Sequence, residues 1–138
     1  MISKQFIEAF NALQADVHRT AVEKGWWKNR CDLVVACEGF KPTVEECDQL
    51  ADYADIANQL GCLMLVVSEI AEAVEAIRHG NPPDDKIPNF SGAEAECADA
   101  IIRLMDLAEA SGWNIAEAIV EKMEMNKGRP HLHGGKKA

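Results

Sequence analysis

Basic side chains are scarce in this 138-residue chain, where 14 lysines and arginines stand against 23 aspartates and glutamates for a formal net charge of -9 and a pI near 4.8. A surface so acidic is poorly suited to neutralising a nucleic-acid backbone or an anionic bilayer, so no nucleic acid and no membrane are expected as partners. Long apolar runs are also missing: the longest, from Gly61 to Val67, falls far short of the ~20 residues that a membrane span requires. The five cysteines, Cys31, Cys37, Cys47, Cys62 and Cys97, are odd in number and never spaced as CxxC, and no basic and apolar leader precedes the first helix. That usage fits a reducing cytoplasm, with each thiol acting as a small buried apolar residue. Strand signals are nearly absent too, since the one β-like run, Asp32 to Ala36, is too short to build a sheet alone.

What remains is helical. Phe6, Phe10, Leu13, Val17 and Ala21 recur at intervals of three and four, which predicts a helix from about Ser3 to Lys24, capped by Ser3 and ended by Gly25. Thr43-Val-Glu-Glu46 after Pro42 has the form of a capping box and opens a helical region to Ile77, with Gly61 as the place where a break would fall. His79-Gly80-Asn81-Pro82-Pro83 stops it, a polar loop leads to Gly92, and an acidic helix runs from Ala93 to Ala110 before Ser111-Gly112. Asn114 with Glu117 suggests a cap for a last helix to about Lys127, after which the tail, 130–138, is expected to be loose. The expected architecture is one all-α domain near a four-helix bundle.

Two acidic pairs stand out on these helices, Glu69-Ile-Ala-Glu72 and Glu96-Cys-Ala-Asp99. Residues three apart share a helix face, so each pair can aim two carboxylates at one point, and two packed helices can converge four. Four such charges repel one another unless a hard, oxygen-preferring cation such as Mg²⁺ or Mn²⁺ neutralises them. Most acidic residues on amphipathic helices simply face water, and Glu75 and Glu94 are read that way. Glu69, by contrast, sits at the edge of an apolar arc formed by Leu63, Val66, Val67, Ile70, Val74 and Ile77, which places it toward the interior. Glu96, Asp99, Arg103 and Asp106 form a polar stripe hemmed by Ala95, Ile102 and Leu107, as the lining of a cleft would be. Arg103 follows Asp99 by four residues, which suits either a surface ion pair or a charge that orients a metal ligand.

With these residues in view, the chain resembles the MazG-like all-α nucleoside triphosphate pyrophosphohydrolases, whose signature is ExxE followed one helix later by ExxD. The ordered set includes Leu-Val-Val-Ser-Glu-Ile-Ala-Glu-Ala-Val-Glu-Ala around Glu69 and Glu72, Ala-Asp-Ala-Ile-Ile-Arg-Leu-Met-Asp-Leu-Ala after Glu96, and Lys-Met-Glu-Met-Asn-Lys-Gly-Arg-Pro near the end. The His-Leu-His-Gly-Gly-Lys-Lys tail is similar to short phage-type or bacterial members. The likeness is best from Gly61 onward, with a looser echo in the first helix and Lys24-Gly-Trp-Trp27, while Asp32 to Asn58 matches nothing in the family pattern.

The resemblance implies Mg²⁺-dependent hydrolysis of a nucleoside triphosphate between its α and β phosphates, with Glu69, Glu72, Glu96 and Asp99 as metal ligands and catalytic carboxylates, Mn²⁺ serving as a substitute. Glu69 is the favoured group to orient or deprotonate water. Lys122, Asn126 and Arg129 match the family's KxxxN…R substrate-binding pattern, although a basic helix C-terminus is also what the helix dipole favours, and Lys127 fits either account. Trp26 and Trp27 suit stacking on a base, with His18 facing the same pocket, and equally suit core or interface. The family likeness also implies a homo-oligomer, dimer or tetramer, with sites near subunit interfaces. A dUTPase-like member of the same superfamily and a noncatalytic helical dimerisation module remain as alternatives. A ferritin-like di-iron bundle does not, because it needs Glu-x-x-His pairs that these helices lack.

Overall fold

The computed structural model describes residues 4–27 and 43–129, with the backbone alone for 44–51. The run at 32–36, the tail at 130–138 with its two histidines, and Cys31, Cys37 and the Cys47 side chain lie outside the described residues, as does the Glu46 side chain expected to cap with Thr43. Among those described are four helices, α1 (Lys4–Glu23), α2 (Val44–Arg78), α3 (Gly92–Ala110) and α4 (Ile115–Lys127), and no strand beyond a single bridge between Pro83 and Ser91. The all-α architecture read from the sequence is the one observed.

Helix ends follow glycine. Gly25, Gly80 and Gly112 all adopt positive φ, a conformation that costs an L side chain energy and costs glycine nothing. At the end of α1 this closure lets the Trp26 amide donate back to the Ala21 carbonyl at 3.1 Å. The turn therefore delivers Trp26 and Trp27 to a fixed place beside α3. The connection between α2 and α3 is tied more firmly: the Asn81 amide donates to the Ala76 carbonyl at 2.7 Å, and the Asn81 side chain accepts from the Ala93 amide at 2.9 Å. Ser91 and Glu94 then form a reciprocal capping box that starts α3, worth about 1 kcal/mol. Asn114, expected to do the same for α4, makes no side-chain cap, and Glu117 is instead turned inward, with Oε2 buried and without a hydrogen-bond partner among the described residues.

α3 is the central element. Its buried Ala95, Ala100, Met105, Leu107 and Ala108 pack between α2 on one flank and α1 on the other. Small residues at these positions bring helix axes close, and Leu107 is the largest side chain that is fully enclosed. Ala76 beside Gly92, Glu69 bonded to Arg103, and Gln59 and Leu107 lining one pocket show that α2 and α3 run antiparallel. The pairs Gln14 with Glu109 and His18 with Asp106 show the same for α1 and α3. α4 packs against α1.

α2 departs from expectation in two ways. It continues through Gly61 without a break, because the cost of one helical glycine, about 1 kcal/mol, is smaller than that of ending a long hydrogen-bonded ladder. Its apolar arc, expected to face inward, faces outward instead: Leu63, Val67, Ile70, Val74 and Ile77 are each more than a third exposed, and it is Cys62, Glu69 and Ala73 that are buried toward α3. From Tyr53 through Ile56 and Leu60 to Ile77 the exposed apolar residues alternate at intervals of three and four, the repeat of a coiled-coil seam. Apolar residues occupy most of the α2 wheel, so periodicity alone could not tell which face turns inward. Cys62 is buried as expected of a small apolar residue, whereas Cys97 is exposed.

Candidate functional site

The carboxylates converge where α2 and α3 lie closest. Oxygen atoms of Glu69, Glu72 and Glu96 lie within 4.8 Å of one another, two from α2 and one from α3. Glu69 is only 6% exposed, which for a carboxylate demands a partner. It has one across the interface: Arg103 Nε donates to Glu69 Oε1 at 2.5 Å. Arg103 thus pairs with Glu69 on the neighbouring helix, where sequence spacing had suggested Asp99 on its own. Asp99 stands outside the three-oxygen cluster, although its charge still reaches Glu96.

Glu96 is the group most disturbed by this crowding. Burial holds its proton affinity above the ordinary carboxylate value, reinforced by a hydrogen bond with Glu69 and by the charges of Glu72, Glu69 and Asp99. The Arg103 guanidinium offsets part of the negative charge that these carboxylates bring together. Three hard oxygen donors from two rigid helices, too crowded to ionise together unaided, fit a divalent cation of the Mg²⁺ or Mn²⁺ kind.

Beside the cluster opens a cleft of about 460 Å³ lined by Trp26, Leu65, Asp99, Ile102, Arg103 and Asp106. Of the polar stripe read on α3, Asp99, Arg103 and Asp106 line this cavity, and Glu96 belongs to the carboxylate cluster instead. At its far side, Asp106 accepts hydrogen bonds from His18 Nδ1 at 2.7 Å and from Trp27 Nε1 at 3.0 Å. The His18 ring meets Trp27 edge to face, with centroids 5.3 Å apart. Trp26 lines this cleft, whereas Trp27 lines a separate pocket with Asp55, Asn58, Gln59 and Leu107, and His18 lines neither. Asp106, read from the sequence as part of the polar stripe without a role of its own, is the residue that ties this stripe to α1 and the turn after it.

Lys122, Asn126, Lys127 and Arg129 are all exposed on or just after α4. Lys127 reaches Glu124 on its own helix at 2.5 Å, and none of the four makes a hydrogen bond or ion pair with the carboxylate cluster among the described residues. Glu75 is exposed and paired with Arg78 and His79, and Glu94 is used in the α3 cap, so both are solvated or structural as expected. No helix among the described residues is long and apolar enough to cross a membrane. Comparison of the chain with protein-family models, with curated proteins and with solved structures finds no match.

Proposed function

We propose that this chain is a Mg²⁺-dependent nucleoside triphosphate pyrophosphohydrolase of the MazG-like kind, cleaving the α/β phosphoanhydride to release the monophosphate and pyrophosphate. The observation that carries the reading is the convergence of Glu69, Glu72 and Glu96 from two helices, joined through the Glu69–Arg103 pair to a cleft that Arg103 lines with Asp99 and Asp106. A bound Mg²⁺ or Mn²⁺ would be held by these glutamates, with Asp99 one turn away, and would neutralise phosphate charge as it develops. Arg103 lies between cluster and cleft and is placed to meet a phosphate oxygen once its carboxylate is otherwise engaged. One carboxylate of the cluster, with Glu69 the favoured group, would orient or deprotonate the attacking water. Trp26 in the cleft lining offers a stacking surface for a base. For Lys122, Asn126, Lys127 and Arg129 the support is the sequence pattern alone.

Resolving products from the eight ordinary ribo and deoxy nucleoside triphosphates, with Mg²⁺, tests this directly. Monophosphate with pyrophosphate is the expected outcome. Diphosphate with phosphate would retain the cation site and overturn the position of cleavage, and no turnover with either Mg²⁺ or Mn²⁺ would overturn the enzyme reading in favour of a noncatalytic helical module.

The same reading includes a homo-oligomer, supported by the exposed three-four repeat along α2 from Tyr53 to Ile77, a continuous apolar seam far longer than scattered surface leucines would give. Light scattering on the purified chain should give at least twice the 15.2 kDa of one copy, and Val67→Glu, in the middle of the seam, should shift it to one copy. A strict monomer at micromolar concentration would overturn the assembly.

A further inference from the structure

A second cavity lies across α3 from the cleft. It holds about 320 Å³ and is walled by α1, α3 and α4, a size that suits a small molecule. Phe10 and Gln14, four residues apart, line it from α1, and Ile115 and Ile119, again four apart, line it from α4, so each helix turns a single face to it. α3 contributes Ile101, Leu104 and Met105, whereas it gives Asp99, Ile102, Arg103 and Asp106 to the cleft. At about 3.6 residues per turn, the two sets fall on opposite sides of the helix. Trp113 joins the lining from the turn after α3, held there by its amide, which donates to the Ala108 carbonyl at 2.8 Å.

No acidic, basic or histidine side chain lines this cavity. A phosphate finds no cation there, and a charged ligand would lose its hydration against carbon. The wall does include Gln14, which is 5% exposed. Its Nε2 donates to Glu109 Oε2 at 2.9 Å, and its Oε1 is buried with no hydrogen-bond partner among the described residues. Turning the amide over would set Oε1 against the Glu109 carboxylate, acceptor against acceptor, so the donor end is fixed. A buried carbonyl left in this state is costly and uncommon in folded proteins. A water here would face mostly carbon, short of the roughly two to four polar partners that an ordered water makes. An apolar ligand with one N–H or O–H suits both the walls and the carbonyl.

We propose that this cavity is a binding site for a small uncharged aromatic molecule carrying a single N–H or O–H donor, which fills the apolar space and donates to Gln14 Oε1. Phe10 and Trp113 supply ring surfaces for it, and ring pairs gain more than their buried area alone. The site shares no lining residue with the cleft, and it does not depend on the nucleotide reading.

Amide-resolved NMR of the full chain, titrated with indole and separately with benzothiophene, which has nearly the same shape and no N–H, tests the site. Indole should shift the signals of Gln14, Met105 and Ile119 and leave those of Glu69, Glu72 and Arg103 in place, with a Kd on the order of 1 mM or tighter. Benzothiophene should shift the same signals and bind roughly tenfold more weakly, the scale of one hydrogen bond to a buried acceptor. Gln14→Leu should remove that preference, and Ile119→Trp, which fills the cavity from α4, should abolish binding of both. No shift at the cavity residues with indole, or shifts confined to the exposed face of α2, would overturn the site. Equal affinity for the two probes in the wild-type chain, a comparison that needs no variant to fold, would overturn the role of Gln14. Indole bound as expected in a chain that hydrolyses no triphosphate would uphold this cavity and overturn only the hydrolase reading.

Discussion

Glu69→Gln and Glu96→Gln are each expected to lower turnover of the preferred triphosphate by roughly a hundredfold or more with Mg²⁺ saturating, the equivalent of about 3 kcal/mol of lost charge stabilisation in the transition state. The substitutions keep volume and remove one anionic oxygen from a cluster whose members lie within 4.8 Å, so the helices should stay packed while the cation loses a ligand. Glu72→Gln should follow with a smaller loss, since Glu72 is exposed and best able to be replaced by water. Asp99→Asn should cost least, roughly tenfold, because Asp99 stands outside the cluster. Initial rates for the four variants, with thermal unfolding run alongside, decide the matter. Wild-type rates in all four would end the metal-site reading. An Asp99→Asn loss as severe as that of Glu69→Gln would mean that Asp99 swings onto the ion.

How far the sequence reached this arrangement depends on the element. Helix ends were legible because glycine and proline act locally: Gly25, Gly80 and Gly112 close helices where positive φ is required, and no distant contact needs to be known. The site was legible in part because three-residue spacing is also local. Glu69 with Glu72, and Glu96 with Asp99, had to share helix faces whatever the tertiary structure. Which face of α2 turned inward was another matter. With apolar residues around most of its circumference, the helix offers no single stripe, and the choice went to the side bearing Cys62, Glu69 and Ala73, where small residues admit close approach of α3.

Glu69 was therefore right for a reason the sequence did not hold. It is buried on the side facing α3, about a third of a turn from the apolar arc, and Arg103 is what makes that burial tolerable. Interhelical partners of this kind depend on register between elements, which spacing within one helix cannot supply. The same limit hid the partners of Asp106, since His18 and Trp27 come from nearly 80 residues or more earlier in the chain. Asn114 failed as a cap for a comparable reason: a capping motif states what is locally available, and at the start of α4 Glu117 is drawn into the interior instead.

Removing Arg103 should destabilise the metal-free protein and leave the Mg²⁺-bound protein much less affected. In the absence of a cation, the Arg103 guanidinium neutralises a Glu69 side chain that is 8% exposed. Breaking a fully buried pair costs 3–5 kcal/mol, and since the Arg103 side chain is itself 42% exposed the expected loss for Arg103→Met is about 2 kcal/mol. The double variant Arg103→Met with Glu69→Gln should recover most of that loss, because no buried charge is left uncompensated. Glu96 supplies the pH dependence. Its pKa is raised in the folded chain above the ordinary 4.5, so the folded state binds the extra proton and stability from this group is fully present below about 4.5 and is lost as pH climbs through the raised value. Metal-free wild-type protein should accordingly unfold more readily as pH rises above that point, and Mg²⁺ should oppose the decline, since an ion at a hundred times its Kd adds about 2.7 kcal/mol to any state that alone binds it. Denaturant unfolding in chelator and in Mg²⁺, from pH 4 to 8, reads all three effects. If Arg103→Met were as stable as wild type in chelator, the guanidinium would not be balancing the cluster; if Mg²⁺ raised neither protein, the cation would bind elsewhere or not at all. The expected pattern, a guanidinium that offsets a buried carboxylate and is made dispensable by a divalent ion, would place the ion at Glu69 without reference to any substrate.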